Sequence, residues 1–206
     1  MRALFAAGTF LALAACGSPS TTSAPAAPGA DLSAAWQLDA EQSHLAFVSV
    51  KGGELAESHT FTDITGAVGP EGAASLTIGL DSVETNVDIR NERMREMLFE
   101  TAKFANAQIS ADVPMETFSS LEVGERSRQL VPITVSLHGL EAEYDADMYV
   151  TRVSGTDVLV ETASPVLTTA YDFGLDGGVE MLRNVAGLES ISFAVPVTVS
   201  LMFSQS

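Results

Sequence analysis

The strongest constraint on this chain is a side-chain period of two that recurs from about residue 45 to the C-terminus. In the last run, Ile191, Phe193, Val195, Val197, Val199, Leu201 and Phe203 share one side, with Ser190, Ser192, Ala194, Thr198 and Ser200 on the other. Two is the period of a pleated strand, whose successive side chains point to opposite faces. Leu45 and Phe47 alternate with Ala46 and Val48, and Leu76, Ile78 and Leu80 with Thr77, Gly79 and Asp81. Ala107, Ile109, Ala111 and Val113 repeat the pattern, as do Ile133, Val135 and Leu137. Ala142, Tyr144, Ala146, Met148 and Val150 stand against Glu141, Glu143, Asp145 and Asp147, a strand with one dry and one wet face. Val158 and Val160 alternate with Asp157, Leu159 and Glu161. Pro196 has no ladder hydrogen to give, so it marks an edge or a bulge.

Two segments break the period. Asp88–Thr101 is rich in helix formers, with Met94, Met97 and Leu98 on one face and Asn86 or Asp88 as candidate cap. Gly177–Val185 is a shorter helix candidate, with Val179 and Leu182 on one side. The expected fold is mainly β, antiparallel, with one or two short helices. Long amphipathic strands joined by short turns suit a closed barrel or a sandwich.

The N-terminus has a different grammar. Arg2, a short apolar run and Leu13-Ala14-Ala15-Cys16 read as an export signal, and the ending resembles a bacterial lipoprotein signal. The run is shorter than the roughly 20 residues of a spanning helix. The expected organisation is a signal peptide over 1–15, a lipidated Cys16 with a flexible tether over 16–35, and one domain over 36–206. Residues 17–35 are small, Ser, Thr and Pro, too polar to bury area. By the same resemblance, Gly17 after the cysteine favours the outer membrane, facing the periplasm. Cys16 is the sole cysteine, so the domain must hold by packing without an internal disulfide. The formal charge is −17, and such a surface repels nucleic-acid phosphates and anionic headgroups.

Short motifs then narrow the family. Ser43-His44-Leu45-Ala46-Phe47-Val48-Ser49-Val50-Lys51, followed by Ala56-Glu57-Ser58-His59-Thr60-Phe61 and Gly66, resembles the opening of the YceI-like family. Ser82-Val83-Glu84-Thr85-Asn86-Val87-Asp88-Ile89-Arg90-Asn91-Glu92-Arg93 resembles its central signature, a strand ending in a Ser-x-x-Thr turn before an Arg-Asn pair that opens a helix. Leu98-Phe99, Phe104 and Tyr171-Asp172-Phe173-Gly174-Leu175 continue the likeness. Ala105 departs from it where many relatives carry proline, which touches a turn. The resemblance implies a lipocalin-like antiparallel barrel whose apolar lumen holds a long polyisoprenoid or isoprenoid quinone. The alternation is compatible with this, but a filled core would give the same alternation.

Under that resemblance the lumen candidates are Phe47, Phe61, Met94, Leu98, Phe99, Phe104, Phe173 and Phe193. Large or flexible apolar side chains suit a methyl-studded tail. Arg90 and Arg93, with Arg95 close by, are candidates for a phosphate or quinone head, although Arg90 reads first as a structural salt bridge, which a fold motif explains without a ligand. Glu92 and Glu96 offset the patch. His44, His59 and His138 have no metal spacing, and His59 reads as a structural hydrogen-bonder. Motifs of serine hydrolases, zinc proteases and phosphate-binding loops are absent. The expected function is non-catalytic binding or carriage of an isoprenoid lipid, with no other cofactor, no metal and no nucleic acid. The alternative is an envelope lipoprotein with a filled core and a protein partner.

Overall fold

A computed structural model describes residues 34–205. The expected signal peptide, lipidated Cys16 and tether up to residue 33 lie outside the described residues. The elements are β1 (Trp36–Lys51), β2 (Leu55–Phe61), β3 (Ile64–Val68), β4 (Ala73–Gly79), β5 (Val83–Glu84), α1 (Asp88–Arg93), β6 (Asn106–Asp112), α2 (Met115–Ser119), β7 (Arg126–Leu137), β8 (Leu140–Arg152), β9 (Asp157–Thr162), β10 (Val166–Thr169), α3 (Asp176–Ala186) and β11 (Ala194–Gln205). Three pairs are bent single strands: β2 runs into β3, β4 into β5 and β9 into β10. Counted so, eight antiparallel strands follow chain order around a ring, and β11 closes it on β1.

Closure leaves no long edge exposed. The seam runs from Trp36↔Gln205 to Phe47↔Val197 and contains a bulge at Ala40–Ser43. Asp39 Oδ1 accepts from the Glu41 and Gln42 amides, and Ser43 Oγ accepts the Met202 amide, so the bulge keeps its hydrogen bonds. Pro196 lies just beyond the last β1 pair of this register, Phe47↔Val197, while still facing Leu167 of β10. The missing donor therefore falls where the β1 ladder is interrupted.

α1 and α3 take one end of the barrel, and the first residue of β1 and the last of β11 the other. The β1–β2 turn, α1, the β7–β8 turn and α3 gather at one end, while Trp36, Gln205 and α2 lie at the other. The β7–β8 turn is His138-Gly139, both at positive φ, the conformation a tight two-residue hairpin needs. Gly178 lets α3 approach the segment after α1: a Cβ there would sit 2.7 Å from the Met97 carbonyl oxygen and 2.9 Å from Leu98 Cα.

Three local expectations are corrected. The helix expected over Asp88–Thr101 is α1 followed by one π turn over Met94–Leu98, and Glu100 then turns the chain at positive φ. Its N-cap is Val87, without a side-chain cap, because Asn86 is itself at positive φ. The last strand starts at Ala194: Ile191 joins only by a single bridge to Lys51, and Ser192 Oγ accepts the Ala194 amide, which breaks the period.

Candidate lipid cavity

The inward faces of the strands do not meet. They enclose a cavity of about 670 Å³, lined by residues of the predicted parity from every long strand, among them Leu45, Leu76, Ala107, Val135, Ala146, Val160 and Val199. The filled core that the alternation left open is therefore not what the chain builds. Phe118 of α2 lines its far end, and at the same end of β8 the buried Arg152 guanidinium donates to the Leu121 and Ser154 carbonyls. The exposed apolar lining residues, Val87, Ile89, Val185 and Ala186, all belong to the helical end. The cavity opens there, between α1 and the C-terminal turn of α3.

Of the lumen candidates, Phe47, Phe61, Met94, Leu98, Phe99 and Phe173 line the cavity. The π turn explains the spacing of three of them. A turn wider than 3.6 residues carries Met94, Leu98 and Phe99 inward together, and Met97, expected on that face, is not in the lining. Phe61 lies between Phe47 and Phe99, with ring centroids at 5.3 and 5.7 Å.

Phe104 and Phe193 are corrections. Phe104 lies outside the lining, its ring 4.3 Å from that of His138 and against Gly139, so it buttresses the β7–β8 turn. Phe193 falls in the stretch that Ser192 pulls out of period, and packs on Tyr171 at 4.7 Å.

The charged groups of the cavity lining collect near its mouth. Arg90 lines it but is fully engaged: Nε and one terminal nitrogen donate to Thr85 Oγ1 (2.8 Å) and the Thr85 carbonyl (2.6 Å), and the other pairs with Glu57 at 2.8 Å. Thr85, Arg90 and Asn91 of the signature are thus one network, since Asn91 Oδ1 accepts both the Thr85 amide (2.9 Å) and its hydroxyl (2.5 Å), while Ser82 Oγ donates to the Gly79 carbonyl and accepts the Thr62 and Asp63 amides. Glu57 also pairs with Lys51. The Lys51 hydrogen bond, with help from Arg90, holds the Glu57 carboxyl below the ordinary glutamate value. Arg93 lines the cavity without a hydrogen-bond or ion-pair partner among the described residues.

Sequence reasoning did not single out Lys51, Ser49 or His59 as lining residues. Parity was the available signal, because Ser49 and Lys51 share the face of Leu45 and Phe47. His59 is 5% exposed, and its Nε2 bonds Ser49 Oγ at 2.9 Å. Its Nδ1 and Trp36 Nε1 are the buried side-chain polar atoms left without a partner among the described residues, and both residues line the cavity. Such orphans cost about 1–3 kcal/mol each.

Burial, then the Arg90 charge, pushes the His59 imidazole below its ordinary value. The unfolded chain, with an imidazole near 6.5, then binds a proton that the folded state refuses. Stability from this source is full above about pH 6.5 and is lost as pH falls toward the lower folded value. His59→Phe should flatten the fall in urea midpoint between about pH 7 and pH 5. An unchanged pH slope in that variant would show that His59 is not its source.

Comparison with known proteins follows the same lines. A family model described as the YceI-like domain matches residues 36–203. A polyisoprenoid-binding domain from Saccharophagus degradans is 40% identical, with 84% of this chain and 99% of that chain covered and a TM-score of 0.82. BcnA from Burkholderia cenocepacia, 14% identical with 80% and 98% covered, has a TM-score of 0.61. The YCEI protein of Campylobacter jejuni, 12% identical with 72% and 84% covered, has a TM-score of 0.53. At such identities the last two speak to fold alone. No curated protein matches the chain.

Proposed function

The chain belongs to the YceI-like family, and on that premise we propose that it binds one long isoprenoid lipid in its barrel, without catalysis, while tethered to a membrane through Cys16. The observation that carries this reading is the cavity of about 670 Å³, predominantly apolar along its length and charged only toward its mouth. Void left by core truncation costs about 24 cal/mol per Å³. On that scale the space corresponds to on the order of 16 kcal/mol, as much as the whole ~5–15 kcal/mol that holds a domain together. A chain that needed only a core would have closed it. The Saccharophagus degradans relative, described as polyisoprenoid-binding, supports an isoprenoid over other apolar ligands.

Burial of each CH₂ is worth about 0.8 kcal/mol against water but little against bilayer. The protein therefore shields or carries a lipid and does not strip membranes by affinity. The tether supports that role by holding it near its donor, at the periplasmic side of the outer membrane. The tether joins β1 at the end remote from the mouth. Twenty residues reach at most about 70 Å at roughly 3.5 Å each, which lets the mouth turn back toward the membrane.

Native mass spectrometry of protein purified from its own host tests the binding. A co-purifying isoprenoid is the expected result; lipid-free protein that takes up no added polyprenol would sink the proposal. Cys16→Ser should move the protein to the soluble fraction, and its retention on membranes would refute the anchor.

A further inference from the structure

Resting on the reading of the cavity as an isoprenoid site, we propose that its ligand ends in a phosphate: a polyprenyl phosphate or diphosphate, in preference to a neutral quinone. The chain carries 10 lysines and arginines against 27 aspartates and glutamates. Three of those ten, Lys51, Arg90 and Arg93, line the cavity, and no described aspartate or glutamate does. Glu57 neutralises part of the cluster through its pairs with Lys51 and Arg90. Nothing described neutralises Arg93, and Glu92 and Glu96 on the same segment are exposed and outside the lining.

Lys51 and Arg90 also serve the Glu57 and Thr85 network, but the uncompensated Arg93 has a purpose at the mouth if the ligand is charged. A protein with a net charge of −17 repels anions over its whole surface. A neutral ligand meets no such barrier and needs no cations at the entrance. A phosphate does meet it, and carries several strong acceptor oxygens that match the planar donor fork of arginine. The apolar wall around the mouth strengthens that attraction by excluding water.

His59 is an independent observation. Its ring lines the cavity, buried, with Nδ1 unpartnered among the described residues. In the tautomer in which the Ser49 hydroxyl donates to Nε2, Nδ1 carries the hydrogen and is a donor that a phosphate oxygen can accept. Arg93 and His59 thus offer unengaged donors, with the Lys51 and Arg90 charges in the same lining, toward one end of a mostly apolar bore.

The test compares two probes with one tail, geranylgeranyl phosphate and geranylgeraniol, on delipidated full-length protein. The phosphate should bind about tenfold more tightly at low salt, a difference of about 1.4 kcal/mol. That ratio should fall toward one in Arg93→Gln and at about 0.5 M salt, where screening is strong. Arg126→Gln, on the outer wall where Arg126 pairs with Glu161, should keep the ratio. Equal affinities in the unmodified protein, or a ratio that survives both Arg93→Gln and Lys51→Gln in folded protein, would overturn the phosphate and leave lipid binding standing. Failure of both probes to bind would overturn the lipid site itself.

Discussion

Ala146→Trp is expected to strip the protein of its lipid while leaving it folded. Ala146 is 2% exposed, sits on the inner face of β8 opposite Val131, and lines the cavity. A tryptophan there has only the bore to enter. It would occupy about 150–250 Å² of apolar contact that the ligand otherwise makes, about 4–6 kcal/mol at roughly 25 cal/mol per Å². Affinity for a polyprenol should therefore fall by a hundredfold or more. The thermal midpoint of the delipidated protein should hold or rise, because the indole fills space the side chains leave. Binding at the unmodified level by a folded Ala146→Trp protein would show that the lipid does not lie in the bore.

The second large effect falls on stability. Asn91 is 4% exposed and Thr85 2%. Asn91 Oδ1 takes both the amide and the hydroxyl of Thr85, and its Nδ2 donates to Glu84 at 3.1 Å. Asn91→Ala leaves a buried backbone N–H with no acceptor, a penalty of about 1–3 kcal/mol, and removes two further bonds of about 1 kcal/mol each. A loss of about 3 kcal/mol lowers the thermal midpoint of a domain this size by about 6–12 °C. Asn91→Asp keeps the acceptor oxygens but sets a carboxylate where Nδ2 met Glu84, so it should recover more than half of the loss when Glu84→Gln removes the opposing charge. If Asp and Ala melt alike in the Glu84→Gln protein, the acceptor role assigned to Asn91 is wrong. The network also holds Arg90 at the cavity mouth, so the alanine variant should weaken lipid retention as well.

Much of the wall was legible in the sequence because parity is a backbone property. Once Ile133, Val135 and Leu137 are known to share a side, their inward position follows whatever they meet inside. What they meet was not legible: apolar side chains that touch across a core and those that stand apart across a bore alternate identically, so the cavity needed the ring of eight strands to be seen. The family signature gave the right residues, Thr85, Arg90 and Asn91, and left their hydrogen bonds to the structure. The two lumen candidates that failed did so for local reasons. Phe104 follows a chain reversal at Glu100, and Phe193 lies beside a serine that bonds the backbone two residues on. Neither device has a period. Lys51 and His59 were missed because chemistry was sought in clusters along the chain, whereas theirs is assembled across the β1–β2 pair.

The seam between β1 and β11 also ties the cavity to the integrity of the whole ring. Its partners, from Trp36↔Gln205 to Phe47↔Val197, are separated by nearly the whole length of the domain, a non-local pairing of the kind that slows folding. β11 also supplies one wall of the cavity, through Val195, Val197, Val199, Leu201 and Phe203. Without that strand the other seven would form a curled sheet with an apolar inner face and two unpaired edges, and no container. A truncation that removed β11 would therefore remove the bore together with the seam.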